Sequence, residues 1–238
     1  AIGALGLTQQ LGSDGGGASP GHRPRQAGDG VEQADGLRPM NIGWFVVSGV
    51  GLLIAALSIV AARRPDIPPW EVRVFRAVNR LPGWLYWILW LPMQLGNLVV
   101  GTLLGLIAAR RTHEWAVAVG VVLAMVLKLV TERVVRHEMT DYLTVRERPG
   151  TSQPGAVLRG KDVPSHGPSF PSGHVILVAA IATVVAPTLS GVLVGGPFLL
   201  IVLVMLGRVY VGAHNPLDVT AGLGTGLLLG GLIAAFVG

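Results

Sequence analysis

The sequence predicts an all-α polytopic membrane protein with six transmembrane helices and an active site at one membrane face. Three observations predict it. Of 238 residues, 51% are hydrophobic and only 13% charged, where a soluble domain carries about 25% charged residues. Apolar runs of about 20 residues, the length that crosses a ~30 Å hydrocarbon core, recur from residue 42 to the end of the chain. Nearly every polar residue of the second half falls at the end of such a run. A backbone inside a bilayer must satisfy its own hydrogen bonds, so the runs read as helices.

Residues 1–40 are rich in Gly, Gln, Asp, Ser and Pro and lack an apolar period. Such a segment cannot bury enough surface to offset its ordering entropy, so a disordered tail is expected ahead of a six-helix domain over 41–238. No signal peptide is expected in the first thirty positions. The first span is placed at 42–62, ending on Arg63 and Arg64. The amphipathic, aromatic stretch IPPWEVRVFRAVNRLP then reads as an interfacial helix. The second span runs from Trp84 to before Arg110, with a break around Pro92 to Asn97. The third covers Trp115 to Val135, the fourth His174 to Leu189, the fifth Val192 to Val211, and the sixth starts at Pro216.

With six spans, the end of the third, the start of the fourth, the end of the fifth and the start of the sixth share one side. Three clusters meet there: VRERPG (Val145–Gly150), SFPSGHV (Ser169–Val175) and GRVYVGAHNPLD (Gly207–Asp218). Asn215 and Pro216 read as N-cap and first residue of the sixth helix. Asp218 then lies in its first turn, with His214 just ahead of it. A carboxylate that orients a neutral imidazole makes a competent nucleophile. Ser172 reads as the N-cap of the fourth span, and Gly173 lets a ligand approach the first-turn N–H groups. His174 is a candidate acid. Arg148 and Arg208 add forked cations. Two arginines, two histidines and a helix N-terminus suit a phosphoryl group.

These residues make the chain resemble the type 2 phosphatidic acid phosphatase superfamily, in its membrane branch, which also contains the vanadium haloperoxidases. The family motifs are Lys, six residues, Arg-Pro; Pro-Ser-Gly-His; and Ser-Arg, five residues, His, three residues, Asp. The second matches at Pro171, Ser172, Gly173 and His174, and the third at Arg208, His214 and Asp218, with Gly207 in place of its serine. The resemblance implies that His214 attacks phosphorus, Asp218 orients it, and His174 protonates the leaving lipid oxygen. Ser172, the Gly173 amide, Arg148 and Arg208 then hold the phosphoryl oxygens, with no metal and no cofactor.

In the first motif Arg148 and Pro149 match, but Asp141 stands at the lysine position. The stretch HEMTDYLTV (His137–Val145) reads as an insertion, which makes Arg136 the expected third cation, with Lys128 and Arg133 as alternatives. Lys128 lies about 12 Å further from the helix end than Arg136 at 1.5 Å per residue, and the phosphate was expected level with that end.

The reading that follows is an integral membrane phosphatase acting on a lipid phosphate or polyprenyl diphosphate through a phosphohistidine. A lipid phosphotransferase using the same intermediate is an alternative, as is a non-catalytic lipid-phosphate binding or transport protein. A haloperoxidase is disfavoured because the site is attached to six spans. The net charge of +5 comes with no zinc-finger spacing and no cysteine, so neither nucleic acid nor a thiolate-bound metal is expected. Membrane lipids are the expected partners, and bacterial relatives that recycle polyprenyl diphosphates place the site on the extracytoplasmic face.

Overall fold

The structure, a computed structural model, describes residues 42–64, 66–137, 146–161 and 163–237, with only the backbone of 136 and 137. The expected tail lies outside them, as do residues 138–145 of the expected insertion. The described residues form helices: α1 (Ile42–Ala62), α2 (Pro69–Asn79), α3 (Leu85–Met93), α4 (Leu98–Thr112), α5 (Trp115–His137), the single turn α6 (Pro149–Ser152), α7 (Gly173–Val185), α8 (Gly195–Tyr210) and α9 (Pro216–Val237). Among them the one β-pairing is an isolated bridge between Glu147 and Pro168.

Helix α7 is the axis of the bundle. It is apolar all round, and Val175 through Ala182 are buried, as expected of a helix enclosed on every side. α9 runs beside it on a stripe of glycines. A Cβ added at Gly222, Gly226 or Gly230 would come 2.7 Å from the carbonyl oxygen of Ser172, Ile176 or Ala180 respectively. Small residues let two membrane helices approach to backbone contact, and this contact locks the first turns of α7 and α9 side by side. α4 and α5 close another flank, where Val121, Leu177 and Ile181 share one core cluster. α1 packs on the far side of α9 through Gly51 and Gly224.

The expected six spans are not confirmed among the described residues. Helices of crossing length and apolarity are Ile42–Ala62, Trp115–Val135, Gly191–Tyr210 and Pro216–Val237, and a fifth arises if the bent pair Leu85–Gly96 and Leu98–Thr112 is one span. The expected fourth span, Gly173–Thr188, is apolar but shorter. Its walls are protein rather than lipid, so bilayer thickness does not set its length.

The expected break in the second span is a bend of 75° at Asn97. The Asn97 side chain accepts from the N–H groups of Val99 and Val100 at 3.0 and 3.3 Å, which starts α4 as a new helix. α4 follows α7 in parallel, since Gly101 faces Leu177 and Gly105 faces Ile181. α3 therefore crosses the end of the bundle, with Met93 against Gly207. Its outer side exposes Trp84, Trp87, Ile88 and Leu91. α2, expected to lie on lipid, also docks on protein: it buries Glu71, Phe75 and Asn79, and Asn79 Nδ2 donates to the carbonyls of Val157 and Tyr210, both at 2.9 Å.

Candidate active site

The loop between α8 and α9 carries the candidate nucleophile. Gly212 turns it at φ +78°, a left-handed conformation that favours glycine. The N–H groups of Ala213 and His214 then donate back to the Arg208 carbonyl at 3.0 and 3.3 Å, which holds Arg208 and His214 at the same end of α8. Asn215 occupies the N-cap position of α9, as expected, but its side chain does not cap the helix. Its Oδ1 accepts from Gln153 Nε2 at 3.0 Å, and its Nδ2 donates to the Glu147 carbonyl at 3.2 Å. The cap comes from Asp218, whose Oδ2 accepts the Asn215 N–H at 2.8 Å, the reach-back half of a capping box.

His214 and Asp218 are both buried, with Nδ1 of the imidazole 3.8 Å from Oδ2. That is an ion-pair distance and not a hydrogen bond. Burial pushes the imidazole below its ordinary range, and Arg208 and Arg148 push the same way while Asp218 pulls it back. The ring is therefore neutral at physiological pH, the protonation state a nucleophile needs.

The other wall is the start of α7. Ser172 sits at its N-cap, with its N–H donating to the Asp218 carbonyl at 3.0 Å, yet its hydroxyl makes no cap bond. Ser172 Oγ, Arg208 Nε and His214 Nδ1 are buried polar atoms with no hydrogen-bond partner among the described residues. Buried polar groups are almost always paired, and a bound oxyanion would accept from two of these three, the Ser172 hydroxyl and Arg208 Nε–H. Arg148 donates to the Ala213 carbonyl at 3.0 Å, which holds its guanidinium against the His214 loop. The His174 ring packs against Gly96 at the α3–α4 bend. A cavity of about 300 Å³ opens there, lined by His174, Arg208, Tyr86, Trp90, Gln94 and Asn97. A larger cleft of about 500 Å³ at the α4–α5 turn contains none of the candidate residues.

Lys128 and Arg136 are placed differently from the expectation. Gly173 lies level with Lys128 and Glu132, so that a Cβ added there would come 3.2 Å from Lys128 Cε. α5 runs on for about two turns beyond Lys128, and about one beyond Glu132, before reaching Arg136, whose side chain is outside the described residues. Lys128 is nearly buried and pairs with Glu132 at 2.9 Å; Arg133 is exposed. Gly207, where the family motif has serine, faces Met93 of α3: a Cβ there would lie 2.6 Å from Met93 Cγ.

Glu71 was missed in the sequence, and Arg146, one of the plausible site cations, was not paired with it. Arg146 Nε donates to Asp218 Oδ1 at 3.1 Å, and its Nη2 donates to Glu71 Oε1 at 2.6 Å. The signals were present: Arg146 stands inside VRERPG, and Glu71 shares the i, i+4, i+8 stripe of α2 with Phe75 and Asn79. An acid on the buried stripe of an amphipathic helix requires a partner.

A family model described as PAP2 superfamily matches residues 114–238, more than half of the chain. The chain belongs to the PAP2 superfamily. The resemblance drawn from its motifs is thereby shown, and the match takes in every candidate site residue. Among characterised relatives, decaprenylphosphoryl-5-phosphoribose phosphatase of Mycobacterium tuberculosis is 29% identical over 142 residues, covering 58% of this chain and 70% of that protein. Among solved structures, Aquifex aeolicus LpxE superposes with a TM-score of 0.58 at 23% identity, over 71% of this chain and 96% of that one. The first transmembrane PAP2 type phosphatidylglycerolphosphate phosphatase from Bacillus subtilis superposes with a TM-score of 0.56 at 22% identity, over 82% and 94%. These two likenesses show the shared fold. Family and relatives together make this PAP2 chain a membrane-embedded phosphatase.

Proposed function

We propose that this PAP2 protein hydrolyses a lipid phosphate or diphosphate through a phosphohistidine on His214. The observation that carries the reading is the meeting of His214, His174, Arg208, Arg148 and the unpartnered Ser172 hydroxyl around the first turn of α7. Nδ1 of His214 faces Asp218, which leaves Nε2 to attack phosphorus. A P–N bond forms as the bond to the lipid oxygen breaks, and His174 delivers a proton to that oxygen. His174, now neutral, takes a proton from water, whose oxygen attacks phosphorus and releases phosphate with the imidazole restored. The 3.8 Å gap between His214 and Asp218 narrows as the ring gains charge, because catalytic contacts tighten in the reacting complex. Arg148, Arg208, Lys128, Ser172 Oγ and the Gly173 amide hold the equatorial oxygens. This donor set of cations, amide and hydroxyl suits an anion; among the described residues no group of three His, Cys, Asp or Glu is placed to hold a metal.

The mycobacterial relative acts on a decaprenylphosphoryl sugar phosphate, so a polyprenyl-linked phosphate is the first substrate class to try. The test is phosphate release in detergent from phosphatidate, phosphatidylglycerophosphate and polyprenyl mono- and diphosphates. His214→Ala is expected to abolish turnover, and Asp218→Asn to lower it by at least ~10²-fold. Full activity in His214→Ala would end the covalent reading.

A further inference from the structure

Glu71 lies outside the family's motifs, on α2, yet it is fully buried, as is Asp218, and Arg146 between them is 4% exposed. Its Oε1 accepts the Arg146 guanidinium at 2.6 Å and the Leu217 N–H at 2.9 Å. The same guanidinium donates to Asp218 Oδ1 at 3.1 Å. The Arg146 carbonyl accepts both the N–H and the hydroxyl of Ser169, at 2.8 and 3.0 Å, just ahead of the Pro-Ser-Gly-His turn. Two carboxylates thus share one guanidinium directly behind the nucleophile.

The charge count gives the arrangement a consequence. Arg146 with Asp218 alone would form a neutral pair and spend the carboxylate on the guanidinium. Burial pushes the Glu71 carboxyl above its ordinary range, while Arg146 and the Leu217 N–H pull it back down; ionised against that guanidinium, it leaves the trio with one net negative charge, facing the imidazole that must become cationic when it attacks. We propose that Glu71 is a positioning residue for catalysis: acting through Arg146, it keeps Asp218 oriented and anionic toward His214. The proposal rests on the phosphohistidine reading of His214. It also ties the docking of α2 to the reacting end of α9, through the Leu217 N–H.

The sign of the effect separates this role from a merely structural one. His214 is faced by Asp218 from α9, Arg208 from α8, Arg148 from the loop before α6 and His174 from α7, with Lys128 of α5 behind His174. Most of these charges are positive. Removing an anion behind Asp218 drives the imidazole pKa further down, whereas loosening or exposing the site returns it upward toward about 6.5.

The experiment is a titration of the 15N-histidine-labelled protein in detergent, with the His214 signal assigned by its loss in His214→Ala. This readout needs no turnover, so it tests Glu71 whether or not any lipid in the substrate panel is hydrolysed. In Glu71→Gln the His214 midpoint is expected to fall by at least about 0.5 unit. Glu71→Asp, which keeps the charge on a shorter arm, is expected to recover more than half of that shift. On a panel lipid that the wild type cleaves, Glu71→Gln should lower kcat by about tenfold or more with KM within about twofold. A His214 midpoint that stays put or rises in Glu71→Gln overturns the positioning role. A wild type inactive on the whole panel would instead count against the proposed function.

Discussion

Arg148 and Arg208 match the two charges of a dianionic phosphoryl group, and for the further cation that the family's first motif implies we propose Lys128, which lies beside Gly173. Counting depth from the end of α5 favoured Arg136, on the assumption that the site sits level with that end. Gly173 instead lies beside Lys128 and Glu132, eight and four residues before Arg136, or about 12 and 6 Å earlier along the helix. Lys128→Ala is therefore expected to lower kcat/KM by at least tenfold and Arg136→Ala by less than about threefold, compared on folded, monodisperse protein. The opposite ranking would restore Arg136 as the family's missing lysine. The state of His214 gives a second expectation at this scale. Its pKa is held below the usual value by burial and by Arg208 and Arg148, and only the neutral ring can attack. Activity should fall as pH drops through that lowered pKa, so the acid limb of kcat/KM should lie below about 6.5. A limb centred above that value, measured from pH 4 to 9, would contradict the burial argument. The residues proposed to hold phosphate were legible because their spacing follows from the helix ends that carry them. Glu71 was not, since its partner Arg146 lies 75 positions away and no local pattern joins them.

Among the elements, α3 departs furthest from its sequence. Trp84 to Arg110 reads as one apolar run, and apolarity is the same whether such a run is straight or bent. The 75° bend follows from contacts that hydropathy does not encode: the Asn97 cap starts α4, and Gly207 gives Met93 room to lie across α8. The break near Pro92 to Asn97 was legible, but its angle was not. Helix identity was legible almost throughout, because membrane helices must be long and apolar, and α7 fell short of span length only because protein surrounds it. Crossing the site end of the bundle, α3 presents Trp84 and Trp87 outward, 63% and 73% exposed, beside the cavity that reaches His174 and Arg208. Tryptophans of that kind anchor at the head-group level of a bilayer. In a variant that retains Trp87 as its sole tryptophan, lipids brominated near the head group are expected to quench it more strongly than lipids brominated at the acyl ends. The reverse order would place α3 upright in the hydrocarbon core as half of a span.

For the whole molecule the open variable is which side of the membrane the site faces. Cations cluster on the site side, 13 of the 18 Lys and Arg by sequence position, and an excess in loops ordinarily marks the cytoplasm. Most of the excess is not free to act that way. Lys128 pairs with Glu132, and Arg146 with Glu71 and Asp218. Arg148 and Arg208 belong to the site, while Arg159 stacks 4.2 Å over the Tyr210 ring and donates to the carbonyls of Asn79 and Tyr210. With Arg136 outside the described side chains, the exposed cations on the site side are Arg63, Arg64, Arg73, Arg76, Arg80, Arg133 and Lys161. These seven stand against five that sequence order alone assigns to the other side, Arg23, Arg25, Arg38, Arg110 and Arg111. A difference of two decides little, and we propose the extracytoplasmic face, where relatives that recycle polyprenyl diphosphates place their site. The chain has no cysteine, which makes single-cysteine labelling free of background. Lys161→Cys, on the site side, should react with a membrane-impermeant maleimide in intact cells. Arg111→Cys, exposed at the α4–α5 turn, should react only after permeabilisation. The opposite pattern would turn the site toward the cytoplasm, and the seven exposed cations would then have set the topology after all.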